Sequence, residues 1–98
     1  MVTEDVKVLA SYFQPDGRLK DIPRQLKKKL AIYRYIIMEF QPARSYTERE
    51  VNEMLMRFFD DYCSLRRDLV DLGFLNRDHG IYWRIADGSS NLADRQTA

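Results

Sequence analysis

The chain has 98 residues, 45% of them hydrophobic and 12% aromatic, enough for one domain with a core and too apolar for a disordered tail. Its apolar runs reach only four residues, as in Tyr35 to Met38, so no bilayer-spanning segment is expected. No signal peptide is expected either, since Met1 to Asp5 carries two acids and no basic cluster. Sixteen basic against fifteen acidic residues leave a net charge of +1, which names no partner, and four glycines with one histidine exclude most catalytic motifs.

The single cysteine, Cys63, cannot form an internal disulfide and fits a reducing cytoplasm. Charge nearly cancels over the chain but is segregated along it. Arg18, Lys20, Arg24, Lys27, Lys28, Lys29 and Arg34 stand against Asp21 alone, whereas acids outnumber bases from Ser45 to Asp61. Such segregation gives surfaces of opposite sign that steer partners.

In chain order, residues 2–13 read as an amphipathic helix, with Val2, Val6, Leu9 and Phe13 at helical spacing and Thr3 available as a cap. Pro15-Asp16-Gly17 ends it, and Arg18 to Ile22 leads as an extended piece into Pro23. A second helix is expected over 23–41, with Pro23 at its first position and Leu26, Leu30, Tyr33, Ile37 and Phe40 on one face; Ile32 and Ile36 widen the stripe. Lys27 and Lys28 fall on the solvent side, and Lys29 at the rim of the apolar stripe.

Ser45-Tyr46 is short enough to be only a minimal strand, and Thr47-Glu48-Arg49-Glu50 fits a capping box opening a third helix over 47–59, with Val51, Met54, Leu55 and Phe58 inward. A fourth helix over 61–72 carries Tyr62, Leu65, Leu69 and Leu72, and Gly73 stands where a left-handed terminal residue is wanted. From Gly73 the period changes to two. Residues 74–85 read as a hairpin, Phe74–Arg77 and Ile81–Ile85 joined by Asp78-His79-Gly80. Ile81, Trp83 and Ile85 share one face, and Trp83 is expected to close the core. The remainder, 86–98, reads as a loose polar tail after a single domain over 1–85.

This order defines an α+β, mainly α chain: a winged helix-turn-helix-like fold with an extra N-terminal helix and a C-terminal β-hairpin wing. The strings GRLKDIP, YTEREVNEML, SLRRDLVDLGFL and GIYWR, in that order, resemble the motifs of an uncharacterised bacterial domain, the domain-of-unknown-function family numbered two thousand and eighty-seven. The resemblance spans about Tyr12 to Arg84. It implies a domain found alone or joined to helix-turn-helix regulators, hence a link to transcription control, but brings no known functional residues.

The functional signal lies in basic side chains. Arg66 and Arg67 lie on the helix that a winged helix inserts into a major groove; Arg77 and Arg84 lie on the wing; Lys27 and Lys28 form part of the basic run. These six are the candidate contacts to double-stranded DNA. Asp61, Asp68 and Asp71 on the same helix as Arg66, and that helix's shortage of amide and hydroxyl side chains, count against base reading, so any DNA contact is expected mainly at the phosphate backbone; Glu48 and Glu50, where a winged helix usually approaches a phosphate, count against the usual docking. The competing function is a protein-interaction or dimerisation module of the same shape, on apolar residues such as Cys63 and Val70 off the main stripe. An enzyme is not expected, for want of a nucleophile–base pair or phosphate loop, and no cofactor or metal is expected. His79 reads as a turn residue, Cys63 as a small, partly buried thiol, and Asp60-Asp61 as a helix cap.

Overall fold

Four α-helices and a three-stranded antiparallel sheet occupy residues 3–85, the part of the chain that the computed structural model describes. The tail expected over 86–98 lies outside the described residues. Among the described residues, no helix is long and apolar enough to cross a membrane.

Helix α1 (Thr3–Tyr12) packs on α2 (Leu26–Ile36) through Val8, Leu9, Tyr12 and Phe13, and the Phe13 ring meets Tyr35 edge-on at 5.0 Å. Val6, expected in that stripe, is exposed. The polar residue next to it, Asp5, is buried instead, accepting two hydrogen bonds from Arg34 at 2.8 and 2.9 Å. That guanidinium holds the Asp5 carboxyl below its ordinary value, and Asp5 raises Arg34 in return.

Helix α2 begins three residues later than its sequence predicts. Pro23 is buried outside the helix and Gln25 is still extended, so the expected first-turn residue Leu26 lies at the rim, exposed. Its C-terminus tightens into a 3₁₀ turn (Ile37–Glu39), and Phe40 is already extended. The Gln41 amide donates to the Tyr46 hydroxyl at 2.7 Å, so the chain leaves the helix before Pro42. Tyr33, Ile36, Ile37 and Phe40 are buried as expected; Leu30 is only partly buried and stands apart from the core.

Strand β1 (Ser45–Thr47) runs directly into α3 (Glu48–Met56), where the capping box is complete: the Glu50 amide donates to Thr47 Oγ1 and the Thr47 amide to Glu50 Oε1. Helix α4 (Tyr62–Asp71) starts on Asp61, whose carboxylate accepts from the Ser64 amide and hydroxyl. Those bonds lower the Asp61 pKa. Leu65 and Leu69 of α4 and Val51 and Leu55 of α3 are fully buried. Tyr33 joins α2 to α4, its hydroxyl donating to Asp68 Oδ2 at 2.6 Å, and burial, then Asp68, raises its pKa. Helix α4 ends in a Schellman motif: Gly73 has φ +87°, its amide donates to the Val70 carbonyl, and the Phe74 amide donates to the Leu69 carbonyl.

Strands β2 (Leu75–Asp78) and β3 (Ile81–Arg84) follow, in sheet order β1-β3-β2. Here the structure corrects the sequence reading. The turn has two residues, His79 and Gly80, both at positive φ (+50° and +80°), so Arg77 pairs with Tyr82 and Leu75 with Arg84. A three-residue turn over 78–80 would place Arg77 opposite Ile81 and Leu75 opposite Trp83. One residue of slip exchanges the faces of β3. Tyr82 is therefore wholly buried beside Leu75 and Tyr46, while Trp83 is half-buried on the outer face, off the core, and Ile81 is exposed.

Truncating Leu65 or Leu69 to alanine should cost about 2–5 kcal/mol, because each side chain is wholly buried and its loss leaves a cavity in the core. Trp83→Ala should cost clearly less, and denaturant unfolding of the three variants checks that order. Gly80→Val should destabilise by about 1–2 kcal/mol through backbone strain alone, since no atom outside the turn lies within 4 Å of the added carbon; circular dichroism at low temperature should still show the helices. The depressed Asp5 carboxyl contributes stability above its unfolded pKa, and this is lost as the pH falls through the folded value. Asp5→Asn should thus lower the melting temperature at neutral pH, with the two proteins converging in strong acid.

Candidate nucleic-acid interface

Helix α4 presents its outer side next to the hairpin, and between them lies a cleft of about 220 Å³ lined by Cys63, Arg66, Arg67, Val70, Asp71 and Arg77. Three of the six basic residues singled out from the sequence therefore converge on one place. Arg66 and Arg67 come from adjacent positions of α4; Arg77 comes from β2, opposite buried Tyr82. Arg67 and Arg77 are exposed and Arg66 is partly buried.

The arginines are not held alike. Arg66 Nη1 donates to Asn52 Oδ1 of α3, a bond that crosses from one helix of the pair to the other. The Tyr82 hydroxyl donates to Glu48 Oε1 at 3.0 Å, and Arg77 is the cross-strand partner of Tyr82. Tyr82 first, then Glu48 and Asp71, raise Arg77 above the ordinary arginine value.

The other three candidates lie elsewhere. Arg84 is half-buried, and its Nη1 donates to the Phe40 carbonyl at 3.0 Å, so it fastens the hairpin to the end of α2. Lys27 (exposed) and Lys28 (partly buried) lie on α2 and do not line the cleft. Much of the basic run from Arg18 to Arg34 is also spent within the fold. Arg18 donates to the carbonyls of Met56 and Arg57 and to Asp60 Oδ1, tying the connection between α3 and α4; Lys29 pairs with Asp68; Arg34 pairs with Asp5.

The acids that weighed against DNA take structural work too. Asp61 caps α4, Asp68 receives Tyr33 and Lys29, Glu50 closes the capping box and Glu48 accepts from Tyr82. Of the α4 carboxylates, Asp71 lines the cleft. Cys63 lines it as well and is exposed, and α1, which packs on α2, does not cover it. Sequence reasoning missed Asn52 and Tyr82. Asn52 is an isolated polar residue in a helix, and Tyr82 was assigned to the wrong face of the hairpin.

A second concavity, about 430 Å³, lies between α3 and the 3₁₀ turn, lined by residues that include Glu39, Arg44, Glu50, Glu53 and Arg57. Its charges are matched within the chain, as Arg57–Glu39, Arg44–Glu50 and Arg49–Glu53.

Neither a curated protein nor a solved structure matches this chain. The match that exists is to a family, over residues 18–84, which takes in every element from the approach to α2 to the last residue of the hairpin and leaves α1 outside. The chain thus belongs to the family described as uncharacterized protein conserved in bacteria, DUF2087.

Proposed function

We propose that this protein is a winged-helix DNA-binding or transcription-regulatory domain that grips the phosphate backbone with α4 and the wing. The observation that carries the reading is the convergence of Arg66, Arg67 and Arg77 on one cleft between the helix and the hairpin. In winged-helix proteins these two elements are the ones that approach a duplex. Backbone contact suits the chemistry better than base reading, since the outer side of α4 offers few amide or hydroxyl groups and Asp71 stands among the arginines. Lys27 and Lys28, on a different element, take no part in this cleft.

Fluorescence anisotropy of a labelled mixed-sequence duplex at two salt concentrations tests the reading. Affinity should fall steeply with salt, with a log–log slope of roughly −3 if three phosphates are neutralised. Arg67→Ala and Arg77→Ala should each reduce that slope by about one and weaken binding to all sequences alike. Absence of binding at low salt and high micromolar protein would reject it. A protein-interaction module is the second reading, favoured by the exposure of Met38, Met56 and Tyr35; a concentration-dependent mass in sedimentation, with no duplex binding, would select it.

A further inference from the structure

The arginines of this protein differ in the chemistry of the atoms that hold them. Arg18, Arg34, Arg44, Arg49 and Arg57 each face a carboxylate: Asp60, Asp5, Glu50, Glu53 and Glu39 in turn. Pairing with a carboxylate orients an arginine but cancels its charge. In the cleft Arg66 is held by a neutral atom, while Asp71 stands on the same wall. That atom is the amide oxygen of Asn52, and Arg77 stands directly across the strand from Tyr82 on the same face, where the Tyr82 hydroxyl donates to Glu48. A neutral acceptor fixes the direction of a guanidinium while leaving its charge and most of its five N–H donors for something else.

We infer that Asn52 and Tyr82 are positioning residues, which set Arg66 and Arg77 as a preformed clamp for one phosphodiester oxyanion of duplex DNA; this rests on the DNA reading above. Arginine side chains in water lose rotamer freedom when they bind, and a side chain already held loses less. Tyr82 is suited to this because its ring is wholly buried in the central strand, with Tyr46 opposite on one side and Arg77 on the other. Its hydroxyl is thus carried by the core. Asn52 performs the same service from α3. Asp71, also on the cleft wall, sets a limit on how tightly any oxyanion is held.

Asn52→Asp separates this role from a merely structural one. The variant keeps an acceptor for Arg66 and should melt no lower than the parent. It should nevertheless bind the labelled duplex about three- to tenfold more weakly, with a salt slope reduced by about one, because the new carboxylate cancels the charge of Arg66. Tyr82→Phe should weaken binding by about two- to tenfold in the parent. It should cost nothing further in an Arg77→Ala background, since it acts through that side chain. Inorganic phosphate at matched ionic strength should displace the duplex no better than chloride. If Asn52→Asp leaves affinity and slope unchanged, or Tyr82→Phe costs as much without Arg77 as with it, the positioning roles are wrong while the DNA reading stands. Displacement by low millimolar phosphate would show a free-phosphate site in place of the clamp. A parent protein that binds no duplex at low salt would remove both the DNA reading and the inference drawn from it.

Discussion

The length of one turn governs the C-terminal half of this molecule. With two residues at positive φ between β2 and β3, Leu75, Arg77, Tyr82 and Arg84 share a face. The Schellman motif at Gly73 delivers the chain so that Leu75 is buried, and the whole face follows it inward. Tyr82 then fills the centre of the sheet, its hydroxyl meets Glu48 at the start of α3, and Arg84 reaches the Phe40 carbonyl. Arg77, on the same face but beyond the core, is left over the side of α4. A turn longer by one residue would reverse all of these at once.

The helices contribute a second kind of order, an allotment of charge. In a chain that is one-third charged residues, opposite charges meet mostly in pairs that join elements: Asp5 with Arg34 between α1 and α2, Arg18 with Asp60 across the α3–α4 connection, Lys29 with Asp68 between α2 and α4. Exposed pairs of this sort add little stability individually. One of them bears on the cleft: Lys29, with the Tyr33 hydroxyl, occupies Asp68 of α4, which leaves Asp71 as the α4 carboxylate that lines it beside three arginines. A nearly neutral chain can in this way present a locally basic surface.

Much of this was legible in the sequence. The capping box at Thr47, the Asp61 cap, the glycine terminus at Gly73, and the buried pairs Val51 with Leu55 and Leu65 with Leu69 follow from local spacing, and local spacing is what single residues encode. What misled was register. Alternation shows that Ile81 and Trp83 lie opposite Tyr82, but not which side meets the helices; hydropathy favoured the tryptophan, and the two-residue turn decided otherwise. At the candidate interface, Arg66, Arg67 and Arg77 were legible as charged residues on the right elements. The withdrawal of Arg84 into a bond with a backbone carbonyl was not, because that carbonyl lies 44 positions away in the chain. Asn52 and Tyr82 were illegible for the same reason, their meaning being a contact with a distant residue.

A two-stranded hairpin is easily pictured as a loose arm. Here its tip is fastened as well as its root. The Gly80 carbonyl accepts the Glu48 amide at 3.2 Å, satisfying a donor that the first turn of α3 cannot satisfy itself, and the Ile85 amide donates to the Phe74 carbonyl at the base. Helix α4 and the hairpin are thereby mounted on one frame through α3. A hairpin tied in this way releases the Glu48 and Ile85 amides to exchange with water only when those bonds open, so hydrogen exchange at the two ends reports on how closely it moves with α3.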